Sequence, residues 1–452
     1  MSGGVRRGPH WSAGSYLDLV LAAVSMQILF FITAFWVGTS GGEFYDDNLL
    51  EINHAMRIQM GLGWLMCVLA GIGFSILPLI YDVIGFERTL MRVYVGMNVI
   101  GQITITTGIL SGNLSIFQSF TTIGITLLAT SVVCLWSPAL TIFKSKSNNG
   151  KKVGPFSYAL GSFLPVIGII VMVCWALRDD FEGSLELSER ILFDLFFSLS
   201  LVAIIISHIN RRLDWQIIKS ENTGKVFGVY ASLLVIAILS KSLNEADDLS
   251  NRVAAVLQII PYLFIFIMLK PIKLISQIRK EKPYKRMVIA AVFWIPIVGI
   301  AGFLEMMEYV QTTDAMMSYY RWILIFGVAF QVFWGFTAYL HEDHKKTPLQ
   351  ARKTHWLSLL SVNIGTIITV YAMLSSWQTG EAQDNIARLG IAIYGISYFS
   401  ILVYWFKETF ICLYTWHKIP MFYDQYLAHP DQGSGYTDKT LVKQLKSAGS
   451  EA

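Results

Sequence analysis

Runs of roughly 20 apolar residues alternate with short polar stretches along nearly the whole chain. They lie near 16–38, 55–81, 93–112, 115–143, 155–177, 190–209, 225–243, 253–271, 287–309, 318–340, 355–377 and 386–412. An α-helix rises about 1.5 Å per residue, so each run is long enough to cross a hydrocarbon core of about 30 Å. The pattern predicts an all-α, polytopic membrane protein with about twelve transmembrane helices. The expected organisation is a short N-terminal segment, 1–15, a transmembrane domain, 16–412, and a polar tail, 413–452, with no soluble domain and no clear internal repeat. A full-length apolar run follows the polar start with no small-residue cleavage site, so the first run reads as an anchor.

Charge then orients the bundle. The stretches GGVRRG, GFERTLMR, KSKSNNGKK, NRRLDWQIIKSENTGK, KPIKLISQIRKEKPYKR, HEDHKKTPLQARK and the tail hold 27 of the 35 Lys and Arg residues. The intervening loops GGEFYDDNLLE, RDDFEGSLELSER, LNEADDLSNR and TGEAQDNIAR are acidic. Lys and Arg stay on the cytoplasmic side, so both termini are expected there, in a cell-membrane protein. The net charge of +4 follows from these scattered loops; no single basic stripe forms, which excludes a nucleic-acid partner. Cys67, Cys134, Cys174 and Cys412 show no CxxC spacing and read as packing residues.

Ionisable groups inside hydrocarbon cost about 2.5–3.5 kcal/mol each on insertion scales, so they mark the places to look. With both termini inside, His54, Arg57, Asp194, Ser198, Tyr319, Tyr320, Arg321, Lys241, Glu245, Glu305 and Glu308 fall at one depth, in the outer half. Arg57, Glu245 and Glu308 suit side chains that snorkel to the headgroups. Asp194, Lys241 and Arg321 lie deeper, where a buried ion-pair cluster competes with that reading. His54 is either an interfacial histidine or an axial haem ligand. His341 and His344, in HEDH, read as solvated loop residues.

The order of features resembles subunit I of the haem–copper oxidases, a twelve-helix family with both termini inside. His54, Gly71, Gly73, Pro78, Phe86 and Arg88 match the family's second helix, with its haem-ligand histidine and F-x-R turn. Asp314, Gly327, Phe330, Gly335 and Phe336 match its loop and tenth helix. Lys353, His355, Val362 and Asn363 match the start of the eleventh, and ILFDLFFSLSLVAIII is a weaker match to the sixth. Where the resemblance places the two haem-ligand histidines of the tenth helix, this chain has Tyr319 and Arg321. Where it places the copper ligands, the chain has Ser198, Ser240 and Lys241; Val202 replaces a tyrosine, and the propionate-binding Arg-Arg pair is missing. Arginine has no lone pair to give a metal, and lysine must first lose its proton. The resemblance therefore implies a reductase site that has been lost and no copper.

Three expectations follow. The first is a non-catalytic or accessory oxidase-like subunit, partnered by the bilayer and by other membrane subunits of a redox complex, with a polar cluster of Asp194, Lys241, Glu305, Tyr319 and Arg321 filling the vacated centre. Within it, one haem b on His54, with Met316 or Met317 opposite, is a variant. The second is a transporter or proton-conducting protein that uses Asp194, Lys241, Glu305 and Arg321 as a gated route. The third is an active haem enzyme with unusual ligands.

Overall fold

The computed structural model describes residues 22–39 in part, 43–70, 88–144, 181–211, 220–242, 248–278, 283–312, 318–335 and 353–397, with a few single positions between them. Among the described residues all regular structure is helical. Six helices are long and apolar enough to cross a membrane: Arg92–Leu110, Leu114–Leu135, Asn222–Ser240, Leu249–Met268, Lys285–Met306 and His355–Thr379. Among the described residues the chain is thus all-helical, with six helices suited to a lipid bilayer. Of the other expected spans, 155–177 lies outside the described residues, and 16–38 and 386–412 are helical where they are described.

The elements in order are α1 (Glu43–Asp47), α2 (Leu49–Ile58), α3 (Arg88–Leu110), α4 (Leu114–Lys144), α5 (Phe181–Arg190), α6 (Ser198–Arg211), α7 (Ser220–Ser242), α8 (Asp248–Met268), α9 (Pro271–Ile278), α10 (Pro283–Met306), α11 (Tyr319–Trp322) and α12 (Lys353–Thr379). Three π-helical segments, π1 (Gln59–Leu65), π2 (Ile191–Phe197) and π3 (Ile323–Ala329), continue α2, α5 and α11 without a break. These are the expected second, sixth and tenth spans. They form the inner layer: every residue of π1 is buried, as are all of π3 but Phe326 and all of π2 but Ile191 and Leu195. The six long apolar helices surround them, with large apolar side chains such as Ile103, Ile123, Leu239 and Ile367 at least half exposed, as lipid-facing residues are. Within this outer layer α3 packs along α4, α7 along α8 and α8 along α10, while α10 and α12 wall in π3.

One sequence expectation is corrected here. RDDFEGSLELSER reads as an acidic loop, but residues 181–190 form α5, which feeds directly into π2 and α6. Leu185, Ser188 and Glu189 are buried and Leu192 continues their face, the i, i+3, i+4, i+7 stripe of a helix packed on one side.

The inner layer also has a period. Arg57 and Glu189 are 132 residues apart, and so are Glu189 and Arg321. The π segments begin at 59, 191 and 323, the same interval. A π turn accommodates one extra residue and is over-represented at functional sites, and here it recurs just beyond each of the three charged positions.

Candidate functional site: a buried charge centre

Helices α2, α5 and α11 bring their charged side chains to one point. Glu189 is fully buried at its centre. Its carboxylate lies 2.5 Å from His54 Nδ1 and 3.0 Å from Arg57 Nε, and accepts a hydrogen bond from Arg321 Nη1 at 2.6 Å. Arg321 uses the rest of its guanidinium on Asp194, donating from Nε to Oδ1 at 3.0 Å and from Nη2 to Oδ2 at 3.1 Å. That two-pronged contact is the planar match between guanidinium and carboxylate. The Tyr320 hydroxyl donates to Asp194 Oδ2 at 2.7 Å, and the Tyr320 backbone N–H donates to Glu305 Oε1 at 3.2 Å.

The shorter of two contacts assigns the histidine's tautomer. His54 Nδ1 faces both the Glu189 carboxylate and Arg57 Nη2, the latter at 3.1 Å. A carboxylate can only accept and a guanidinium can only donate. At the shorter contact Nδ1 must carry the proton and give it to Glu189, which leaves Nε2 with the ring's lone pair when His54 is neutral. Two guanidinium groups, Arg57 and Arg321, thus face two carboxylates, Glu189 and Asp194.

Of the residues expected in a polar cluster, Asp194 and Arg321 are directly paired and Glu305 joins through the Tyr320 backbone. Tyr319 is fully buried beside them but makes no contact with Asp194 or Glu189. Lys241 lies near the end of α7, and its side chain is outside the described residues. Glu245, Met316, Met317, His341 and His344 also lie outside them. Arg57, expected to snorkel, instead turns inward to Glu189, with its side chain 11 % exposed. His54 is likewise buried and bonded to Glu189. Glu308 is exposed, as an end-of-helix residue should be. Glu189 and Tyr320 were not expected at the centre.

A second, uncharged network lies beside π1. The Gln59 amide nitrogen donates to Thr106 Oγ1 at 2.9 Å and to the Gln102 carbonyl at 3.3 Å. Gln102 Nε2 donates to Asn98 Oδ1 at 2.6 Å, and Asn98 Nδ2 donates to the Leu62 carbonyl at 3.0 Å. Tyr94 OH and Cys67 Sγ end the ladder, 3.5 Å apart. The amide orientations are fixed, because Gln59 and Asn98 each give an N–H to a backbone carbonyl. Gln59 Oε1 and Gln102 Oε1 are then left buried without a partner among the described residues. Gly63 makes room for this arrangement, since a Cβ there would collide with the Gln102 amide.

Arg321 has no lone pair to give a metal and is held by two carboxylates, so it cannot pair with His54 as a haem ligand. Compared with protein-family models and with curated protein sequences, the chain matches none.

Proposed function

We propose that the chain is a divergent, oxidase-like membrane bundle in which a buried ion-pair core stands in place of a redox centre, and that it serves as a non-catalytic subunit of a membrane redox complex. The proposed setting is the cell membrane, with twelve spans and both termini in the cytoplasm. The carrying observation is Arg321. At a position that the resemblance gives to a haem-ligand histidine, it spends Nε, Nη1 and Nη2 on Asp194 and Glu189. Its neighbours support the same reading. Ser198, at a position given to a copper ligand, has its hydroxyl 3.1 Å from Tyr262 OH, and Ser240 turns its own to the Ala237 carbonyl at 2.7 Å. Hydroxyls engaged in this way are poor substitutes for imidazole.

The alternative is a bundle that moves protons or a solute along Asp194, Glu305, Lys241 and Arg321. The engagement of all three Arg321 nitrogens weighs against it, because a conducting group must exchange partners. The deciding experiment is a visible absorption spectrum with metal analysis on the purified protein. The expected preparation is colourless and copper-free and co-purifies with other membrane subunits. A Soret band with resolved α and β peaks would instead place haem b on His54 and overturn the proposal.

A further inference from the structure

Between the spans α8 and α10 the chain does not turn tightly. It lays down α9, an eight-residue helix, Pro271–Ile278, introduced by Lys270 in the left-handed region at φ 51°. One side of α9 faces the bundle: Leu274 is fully buried and Ile278 packs on the core. The other side exposes apolar surface, with Ile272 83 % and Ile275 55 % accessible, beside the exposed Lys270 and Lys273. Residues 270–286 hold seven basic side chains and a single acid, Glu281. That acid is already occupied by Lys285 at 3.6 Å, while Arg286 donates to its backbone carbonyl and lies 4.8 Å over the ring of Trp356.

The geometry points to α9 as an in-plane interfacial helix that docks anionic phospholipid, with Ile272 and Ile275 among the acyl chains and Lys270 and Lys273 on the headgroups. The surface itself selects this occupant. A soluble polyanion would match the lysines and leave two isoleucines in water. A purely apolar partner would bury the isoleucines and strand the lysines. An anionic lipid carries both chemistries in one molecule, and it is present wherever α8 and α10 cross the bilayer. Trp356, with Arg286 stacked on it, continues the same band of aromatic and basic groups found where helices leave hydrocarbon. This assignment is independent of what the charge centre does.

The test uses the full chain in detergent, incubated with equal amounts of phosphatidylglycerol and phosphatidylcholine, with retained lipid counted by native mass spectrometry. The wild type is expected to keep phosphatidylglycerol several-fold over phosphatidylcholine. Lys270→Gln with Lys273→Gln should abolish that preference and leave the two lipids retained about equally, since each lysine near an anionic surface contributes roughly fivefold. Ile272→Ser with Ile275→Ser should reduce retention of both lipids. Equal retention of the two lipids by the wild type, or an unchanged preference in the lysine variant, overturns the assignment. A spin label at Ile275→Cys in phosphatidylglycerol-containing bilayers gives an independent check. It should collide with oxygen more than with a water-soluble nickel chelate, and the reverse order would also sink the proposal.

Discussion

The charge centre and the neutral ladder are both buried, both polar and both built on a π segment, yet they satisfy their groups in opposite ways. At the charge centre every nitrogen of Arg321 has a carboxylate, and Asp194 gains a tyrosine hydroxyl as well. In the ladder two amide oxygens stay orphaned. A lone ion in a low-dielectric interior costs several kcal/mol even after relaxation, whereas an unpaired amide oxygen costs about 1–3 kcal/mol. The fold completes the network in which a gap would be ruinous and tolerates gaps in the other.

The widest separation between the two regions should come from Arg321→Leu. It leaves Asp194 and Glu189 short of a cation and should destabilise the protein by about 3–5 kcal/mol, read as a large drop in the thermal midpoint in detergent. Adding Asp194→Leu to that variant leaves Arg57 balanced by Glu189 and should restore much of the loss, because an apolar replacement of a whole pair is often neutral. An unchanged midpoint in the single variant would remove the ion-pair core as a structural element. Next comes Tyr320→Phe, which deletes one hydrogen bond to a buried carboxylate and should cost about 1.5–3 kcal/mol with the spectrum unaltered. The smallest effect belongs to the ladder: Gln102→Leu removes the orphaned Gln102 Oε1 but orphans Asn98 Oδ1 in its place, so stability should move by no more than about 1 kcal/mol in either direction. A ladder variant as damaging as Arg321→Leu would erase the distinction.

The membrane-helix pattern was legible in the sequence because hydropathy and length are local properties, and six of the expected spans stand as long apolar helices. Arg321 and Asp194 were legible as misfits, since a charge in an apolar run has to be accounted for. Glu189 was not, because it sits among Asp179, Asp180, Glu182, Glu186 and Arg190, where composition reads as loop. The 3.6-residue stripe through Leu185, Glu189 and Leu192 was the available signal, and it was outweighed by the local charge. The ladder also left a trace, with Tyr94, Asn98, Gln102 and Thr106 spaced by four along α3. Neutral side chains raise no alarm in a charge-based reading. The π segments were not legible at all: QMGLGWL, ILFDLFF and ILIFGVA share no residue pattern, and which carbonyl an N–H chooses is decided by neighbours far away in sequence.

The 132-residue recurrence imposes a parity condition on the heart of the molecule. Three equivalent sites holding unit charges sum to an odd number, so no choice of signs among Arg57, Glu189 and Arg321 can cancel. Pairing off the second guanidinium takes a fourth ion from outside the trio, and Asp194 supplies it from one helix only. Three positions evenly spaced along the chain are thereby compelled to share their counter-charges unevenly.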